Sequence, residues 1–182
     1  LDTSLLTIGA TINDAVIGAL PLLAGEKDRV SFTHQTGEND FYRVRDAYEN
    51  SGLRAEVRPF IERMVDEFAA ADLVISRAGA TTVAELAAAG KPAIMIPFPF
   101  AADDHQAENA AELCEAHAAL CFRQRELDVK RLASIVDELL GNRARLAAMP
   151  AATQAAAFPA AGSGGVQLAP EWRQLRPSRQ HR

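Results

Sequence analysis

Short apolar runs alternate along this chain with stretches in which apolar residues recur every three or four positions. Ser4–Ile8, Val30–His34, Arg54–Arg58, Asp72–Ser76, Ala93–Pro97 and Ala119–Phe122 read as strands, brief and bounded by turn residues. Between them the spacing predicts helices. Ile12–Leu23 places Ile12, Ala15, Val16, Ala19, Leu20 and Leu23 on one side, with Asn13 and Asp14 suited to the first turn. Phe41, Val44, Arg45 and Tyr48 mark a second helix, ended by Asn50-Ser51-Gly52, and Ile61, Met64, Val65 and Phe68 a third. Thr81–Ala89 is closed by Gly90 as its C-terminal cap, His105–His117 follows, and Asp128 caps a helix running through Leu140. The stretch 142–157 is mostly helical, interrupted at Pro150.

Strand-helix alternation with apolar strands predicts an α/β domain: a Rossmann-like, doubly wound parallel sheet covered by helices on both faces. The predicted domain spans 1–157. Past Phe158, Pro159, Gly162, Gly164 and Gly165 end the periodicity, and 158–182 reads as a disordered tail, basic toward its end with four arginines and one acid in 166–182. Alanine occurs 36 times and aromatics make up only 6%, which suits helices packed closely on a flat surface.

A net charge of −5 argues against a general nucleic-acid binder, which needs a basic footprint. No run reaches the roughly 18 to 20 apolar residues of a membrane span, and the first residues lack the pattern of a signal peptide. Cys114 and Cys121 make no disulfide framework and are expected as free thiols of a reducing compartment. His117 between them adds one zinc ligand at most.

In an open parallel sheet, ligands bind beyond the carboxyl ends of the strands. Four stretches fall there: Gly9-Ala10, Pro59-Phe60-Ile61, the run from Ser76 to Thr82, and the run from Pro97 to Gln106. In the third, Gly79 permits a tight turn, and the helix that follows offers free N–H groups to an anion. Glu85 lies three residues after Thr82, on the same face. It can accept hydrogen bonds from the hydroxyls of a diol such as ribose; equally, Thr82 and Glu85 can form a capping box. In the fourth, Asp103 or Asp104 can cap a helix. Alternatively His105 and Gln106 can bond a polyhydroxylated ligand, with Asn109 orienting the loop from one turn in. Adjacent residues on one helix diverge, so Asp103, Asp104 and His105 are not read as a metal site. No Walker loop, nucleophile elbow or complete G-x-G-x-x-G is present. An enzyme built on this chain would work by positioning and electrostatics.

The segments Ala71 to Leu86, Gly90-Lys91-Pro92-Ala93, Ile96 to Gln106 and Asn109-Ala110 resemble the MurG family, the N-acetylglucosaminyltransferases of peptidoglycan synthesis. The resemblance covers roughly 5–150 and falls on the C-terminal, donor-binding half of a GT-B fold. It implies an inverting hexosyltransferase. In the complete enzyme the 4-hydroxyl of a lipid-linked muramoyl-peptide, lipid I, attacks the anomeric carbon of UDP-N-acetylglucosamine and lipid II forms. It further implies peripheral contact with the cytoplasmic face of the bacterial inner membrane, and neither cofactor nor metal. Carried over by position, Phe60, Ile61 and Met64 line the uracil pocket, Ile61 through its backbone. Ala80, Thr81 and Thr82 contact the diphosphate, Glu85 the ribose, and His105 and Gln106 the sugar. Arg77 supports the loop. The catalytic residues are expected in the acceptor domain, outside these residues, so this stretch alone should bind UDP weakly and turn over poorly or not at all.

Two departures qualify that expectation. The family's glycine-rich G-G-S-Q-G-A loop is represented here by the shorter Thr7-Ile8-Gly9-Ala10-Thr11, and His105 stands where the family often has glutamine. The alternatives are a UDP-sugar-binding remnant without catalysis, or another GT-B enzyme such as a diacylglycerol glucosyltransferase.

Overall fold

The computed structural model describes residues 3–9, 12–97, 110–111, 113–115, 119–123 and 127–149. Six strands form one sheet: β1 (Thr3–Ile8), β2 (Val30–Gln35), β3 (Arg54–Arg58), β4 (Leu73–Ser76), β5 (Ala93–Met95) and β6 (Ala119–Cys121). Their order is β3-β2-β1-β4-β5-β6, and every neighbouring pair is parallel. The helices are α1 (Asn13–Leu23), α2 (Phe41–Ser51), α3 (Met64–Ala70), α4 (Ala80–Ala89) and α5 (Val129–Gly141), with further helical residues at 110–111, 113–115 and 143–149. This is the doubly wound arrangement expected of the alternating pattern. The direction of winding reverses between β1 and β4, where a crevice opens at the carboxyl edge.

Successive side chains of a strand point to opposite faces, so each central strand feeds two cores. Leu5, Phe32, Ile75 and Ile94 pack with α1, α2 and α5. Leu6, Val74 and Met95 pack with Phe68 of α3 and Leu86 of α4. Close approach of α1 and α5 requires Gly18: a Cβ there would stand 2.5 Å from Val129 Cγ2. As the sequence predicts, Asp128 caps α5, its carboxylate accepting from the Arg131 N–H at 2.7 Å.

Several boundaries differ from the sequence reading. Ile61 lies outside α3, which starts only at Met64, because Ile61 is pulled into the core beneath the turn. The β5 strand ends at Met95, before Ile96-Pro97. The β3 strand is an exposed edge whose charged residues Arg54, Glu56 and Arg58 discourage pairing with another chain. Cys114 and Cys121, expected as free thiols, are joined as a disulfide, with Cα atoms 6.2 Å apart. That separation suits a bridge, and folding sets it by bringing the helical residues 113–115 against β6. The tail from 158 lies outside the described residues.

Candidate functional site

The crevice between β1 and β4 is flanked by the starts of two helices, α1 and α4, which differ in what meets them. At α4, Gly79 is the N-cap in an extended conformation and no side chain caps the helix. The first intrahelical bond there runs from the Val83 N–H to the Gly79 carbonyl at 2.9 Å. The N–H groups of Ala80, Thr81 and Thr82 therefore have no helical partner. No acid lies in that first turn, so the positive end of the helix dipole is uncompensated. Thr82 sits three residues into the helix rather than at its cap, which removes the capping-box alternative. Half-buried Glu85 makes no hydrogen bond or ion pair with the described residues.

The neighbouring turn presents Phe60, 67% exposed, beside Ile61, 3% exposed. Met64 is half-buried at the start of α3. The Ile61 N–H donates to Gln35 Oε1 at 2.9 Å. Arg77 donates to the carbonyls of Ile96 (3.0 Å) and Pro97 (3.3 Å), so it supports the start of the following loop, as the resemblance implied. Gly9 has φ +125°, a conformation that favours glycine. Ala10 and the run from Phe98 to Asn109, with His105 and Gln106, lie outside the described residues.

At α1 no side chain caps the helix either, but charged and polar side chains surround its first turn. Asn13 donates to the Thr36 carbonyl at 3.0 Å and to Asp40 Oδ2 at 2.8 Å. Its Oδ1, 2.9 Å from His34 Nε2, is therefore the acceptor of that pair. His34 thus carries its proton on Nε2, and its Nδ1 accepts from the Tyr48 hydroxyl at 3.2 Å. Burial drives the His34 pKa down to about 4 against the opposing pull of Asp40. The Asn13 amide, and then Arg43, hold the Asp40 carboxyl below its usual range. Arg43 also pairs with Asp14 in the first turn of α1.

Sequence reasoning placed Asn13 only in a helix's first turn and gave no tertiary role to it, His34 or Gln35. The available signal was His34-Gln35-Thr36-Gly37, a polar run ending a strand in which His34 and Thr36 are both fully buried. Among the described residues no group of three or more His, Cys, Asp or Glu could hold a metal ion. No helix among them is long and apolar enough to cross a membrane. Chemically, the carboxyl edge offers free helix N–H groups at α4, a carboxylate acceptor one turn further on, and an exposed aromatic ring after β3.

Comparison with known proteins identifies the family and the fold. The glycosyltransferase family 28 C-terminal domain matches residues 7–162. Curated relatives from Geotalea uraniireducens and Syntrophotalea carbinolica are each 49% identical, over 74% and 79% of this chain. Both are named UDP-N-acetylglucosamine–N-acetylmuramyl-(pentapeptide) pyrophosphoryl-undecaprenol N-acetylglucosamine transferase. The chain spans only 37% and 40% of their lengths. The crystal structure of Acinetobacter baumannii MurG superposes with a TM-score of 0.76 at 31% identity, covering 85% of this chain and 45% of that one. The spinosyn rhamnosyltransferase SpnG, 21% identical with a TM-score of 0.59, shares the fold over 86% of this chain and 40% of its own. The architecture is that of the C-terminal half of a GT-B glycosyltransferase, and the chain belongs to the glycosyltransferase family 28 C-terminal domain family.

Proposed function

We propose that this chain is the donor-binding half of an N-acetylglucosaminyltransferase of peptidoglycan synthesis. Its substrate is UDP-N-acetylglucosamine, and the complete enzyme transfers the sugar to a lipid-linked muramoyl-peptide at the cytoplasmic membrane face. The observation that carries this reading is the start of α4, uncapped and free of acids, with the Glu85 side chain one turn further on without a partner among the described residues. A diphosphate matches the N–H groups of Ala80, Thr81 and Thr82. A ribose diol matches the carboxylate of Glu85, and the exposed Phe60 ring with Ile61 and Met64 suits a nucleobase. His105 and Gln106 complete the reading as contacts to the sugar. The printed names of the relatives support the choice of sugar nucleotide.

The chain's part in the reaction is to hold the nucleotide, stabilise the departing diphosphate at a helix N-terminus and orient the sugar. The base that activates the acceptor belongs to the other half. Titration calorimetry with UDP-N-acetylglucosamine tests the reading. Binding is expected for the wild type, weakened by about 1 to 3 kcal/mol in Glu85→Ala, where a diol loses its acceptor. Equal affinity in the two proteins would remove Glu85 from the site, and competition by UDP-glucose at equal strength would remove the assigned sugar.

A further inference from the structure

We propose that β3 is a self-association edge, where two copies of this chain pair their β3 strands antiparallel about a two-fold axis at Ala55. The sheet order ends at β3, so among the described residues no strand covers its outer side. Arg54, Ala55 and Glu56 are exposed, and Val57 and Arg58 are half-buried. The inner side belongs to β2, whose ladder continues in the bond from the Thr36 N–H to the Arg58 carbonyl at 3.0 Å. In a parallel pair the main-chain groups of alternate residues turn to opposite edges. Arg54, Glu56 and Arg58 therefore turn theirs toward β2, while Ala55 and Val57 each offer an N–H and a carbonyl to a further strand.

The charges on this edge discourage an arbitrary strand, yet they match one partner in one register. Side chains alternate between the faces of a sheet. Arg58 bonds Glu67 of α3, so Arg54, Glu56 and Arg58 lie on the α3 side. Leu53 and Val57 pack with the core on the α2 side, and Ala55 shares their face. A dyad at Ala55 sets Ala55 against the second copy's Ala55, with two main-chain bonds across the axis. Arg54 then faces the second copy's Glu56, and Glu56 its Arg54, so symmetry makes the ion pair twice. Arg58 keeps its own bonds to Glu56 and Glu67. A dyad at Glu56 would instead stack Glu56 on Glu56 and Arg54 on Arg58, like charge on like. A dyad at Val57 would set Ala55 against Pro59, which has no N–H to give.

The α2 side adds an apolar term. A cavity of about 350 Å³ lies there, lined by Leu53, Ala55 and Val57 and by side chains of α2. In the register at Ala55, the second copy's Val57 comes opposite Leu53, and strand pairing takes this apolar surface from water. One short strand and its recess fall below the size of a permanent interface, so the association is weak and depends on concentration.

Sedimentation velocity of the 182-residue chain from micromolar to millimolar concentration tests the proposal. The wild type should pass from monomer to dimer. Arg54→Glu and Glu56→Arg should each raise the dissociation constant at least about tenfold, because like charges then face each other. The double variant, which swaps the pair, should return to within about threefold of the wild type. Ala55→Pro removes the outward N–H at the axis and should abolish the dimer with an unchanged circular dichroism spectrum. If the charge variants or the proline variant do not fold, the other set decides. A wild type that stays monomeric throughout overturns the proposal. So does a dimer that survives Ala55→Pro, or a double variant that associates no more tightly than the single ones.

Discussion

The starts of α1 and α4 face the same crevice from adjacent strands, β1 and β4, yet they differ in the charge around them. Neither helix has a side-chain cap, but charged groups surround the α1 start. Asp14 lies in its first turn, Asp40 is bonded to the Asn13 side chain, and Arg43 neutralises both carboxylates. The α4 start has no acid, no side-chain cap and three N–H groups without helical partners. A helix N-terminus is an anion site only while it remains unfilled. The contrast also fits the sequence: the glycine-rich loop of the resembling family is reduced after β1 to Gly9-Ala10. The diphosphate reading therefore rests on α4.

The largest expected effect breaks the α1 side. Neutral His34 belongs to the α1 network, with a pKa lowered from 6.5 to about 4 by burial. Between those values the unfolded chain binds the proton and the folded chain resists it. Stability conferred by the neutral ring is complete above pH 6.5 and declines as the pH falls toward 4, by about 3 kcal/mol in all. Urea unfolding at pH 7.5, 5.5 and 4 should give a steeper decline for the wild type than for His34→Gln. Parallel curves would mean that the ring is not held neutral.

A smaller effect follows from making the α4 start resemble the α1 start. Thr81→Asp puts a carboxylate in the first turn of α4. Thermal unfolding should report a gain of about 0.5 kcal/mol from the helix dipole. UDP binding should weaken by about 1.4 kcal/mol, tenfold, because the anion site is taken. Thr81→Asn, without the charge, should weaken binding less. If Thr81→Asp binds UDP as tightly as the wild type, the diphosphate lies elsewhere. The smallest effect is the reverse change: Asp14→Asn at α1 should cost about 0.5 kcal/mol of stability and leave UDP affinity unaltered. A change in affinity there would place the anion at α1 instead.

The fold was legible because its signals are local and repeated. Six apolar runs separated by helical periodicity predict a covered parallel sheet, and Asp128 and Gly90 marked helix ends by their own chemistry. The α4 loop was legible for the same reason, since glycine and threonines before an alanine-rich helix are contiguous. The capping-box alternative could not be decided from spacing, which locates neither the cap nor the side-chain bonds; only the helix start at Ala80 removed it. The disulfide was missed because a compartment argument speaks of thiols in general, whereas the pairing depends on where β6 lies relative to residue 114.

Residue order by itself determined the element sequence, the parallel sheet with its two cores, and the composition of each edge loop, because hydrophobic periodicity and turn chemistry act over a few neighbours. Tertiary structure alone decided which helix start is surrounded by the protein's own charged groups. Asn13 is far from His34 and Asp40 along the chain, and Gln35 is far from Ile61. Whether such polar groups meet each other or wait for a ligand depends on the register between strands and on burial, which becomes defined only when the sheet is assembled.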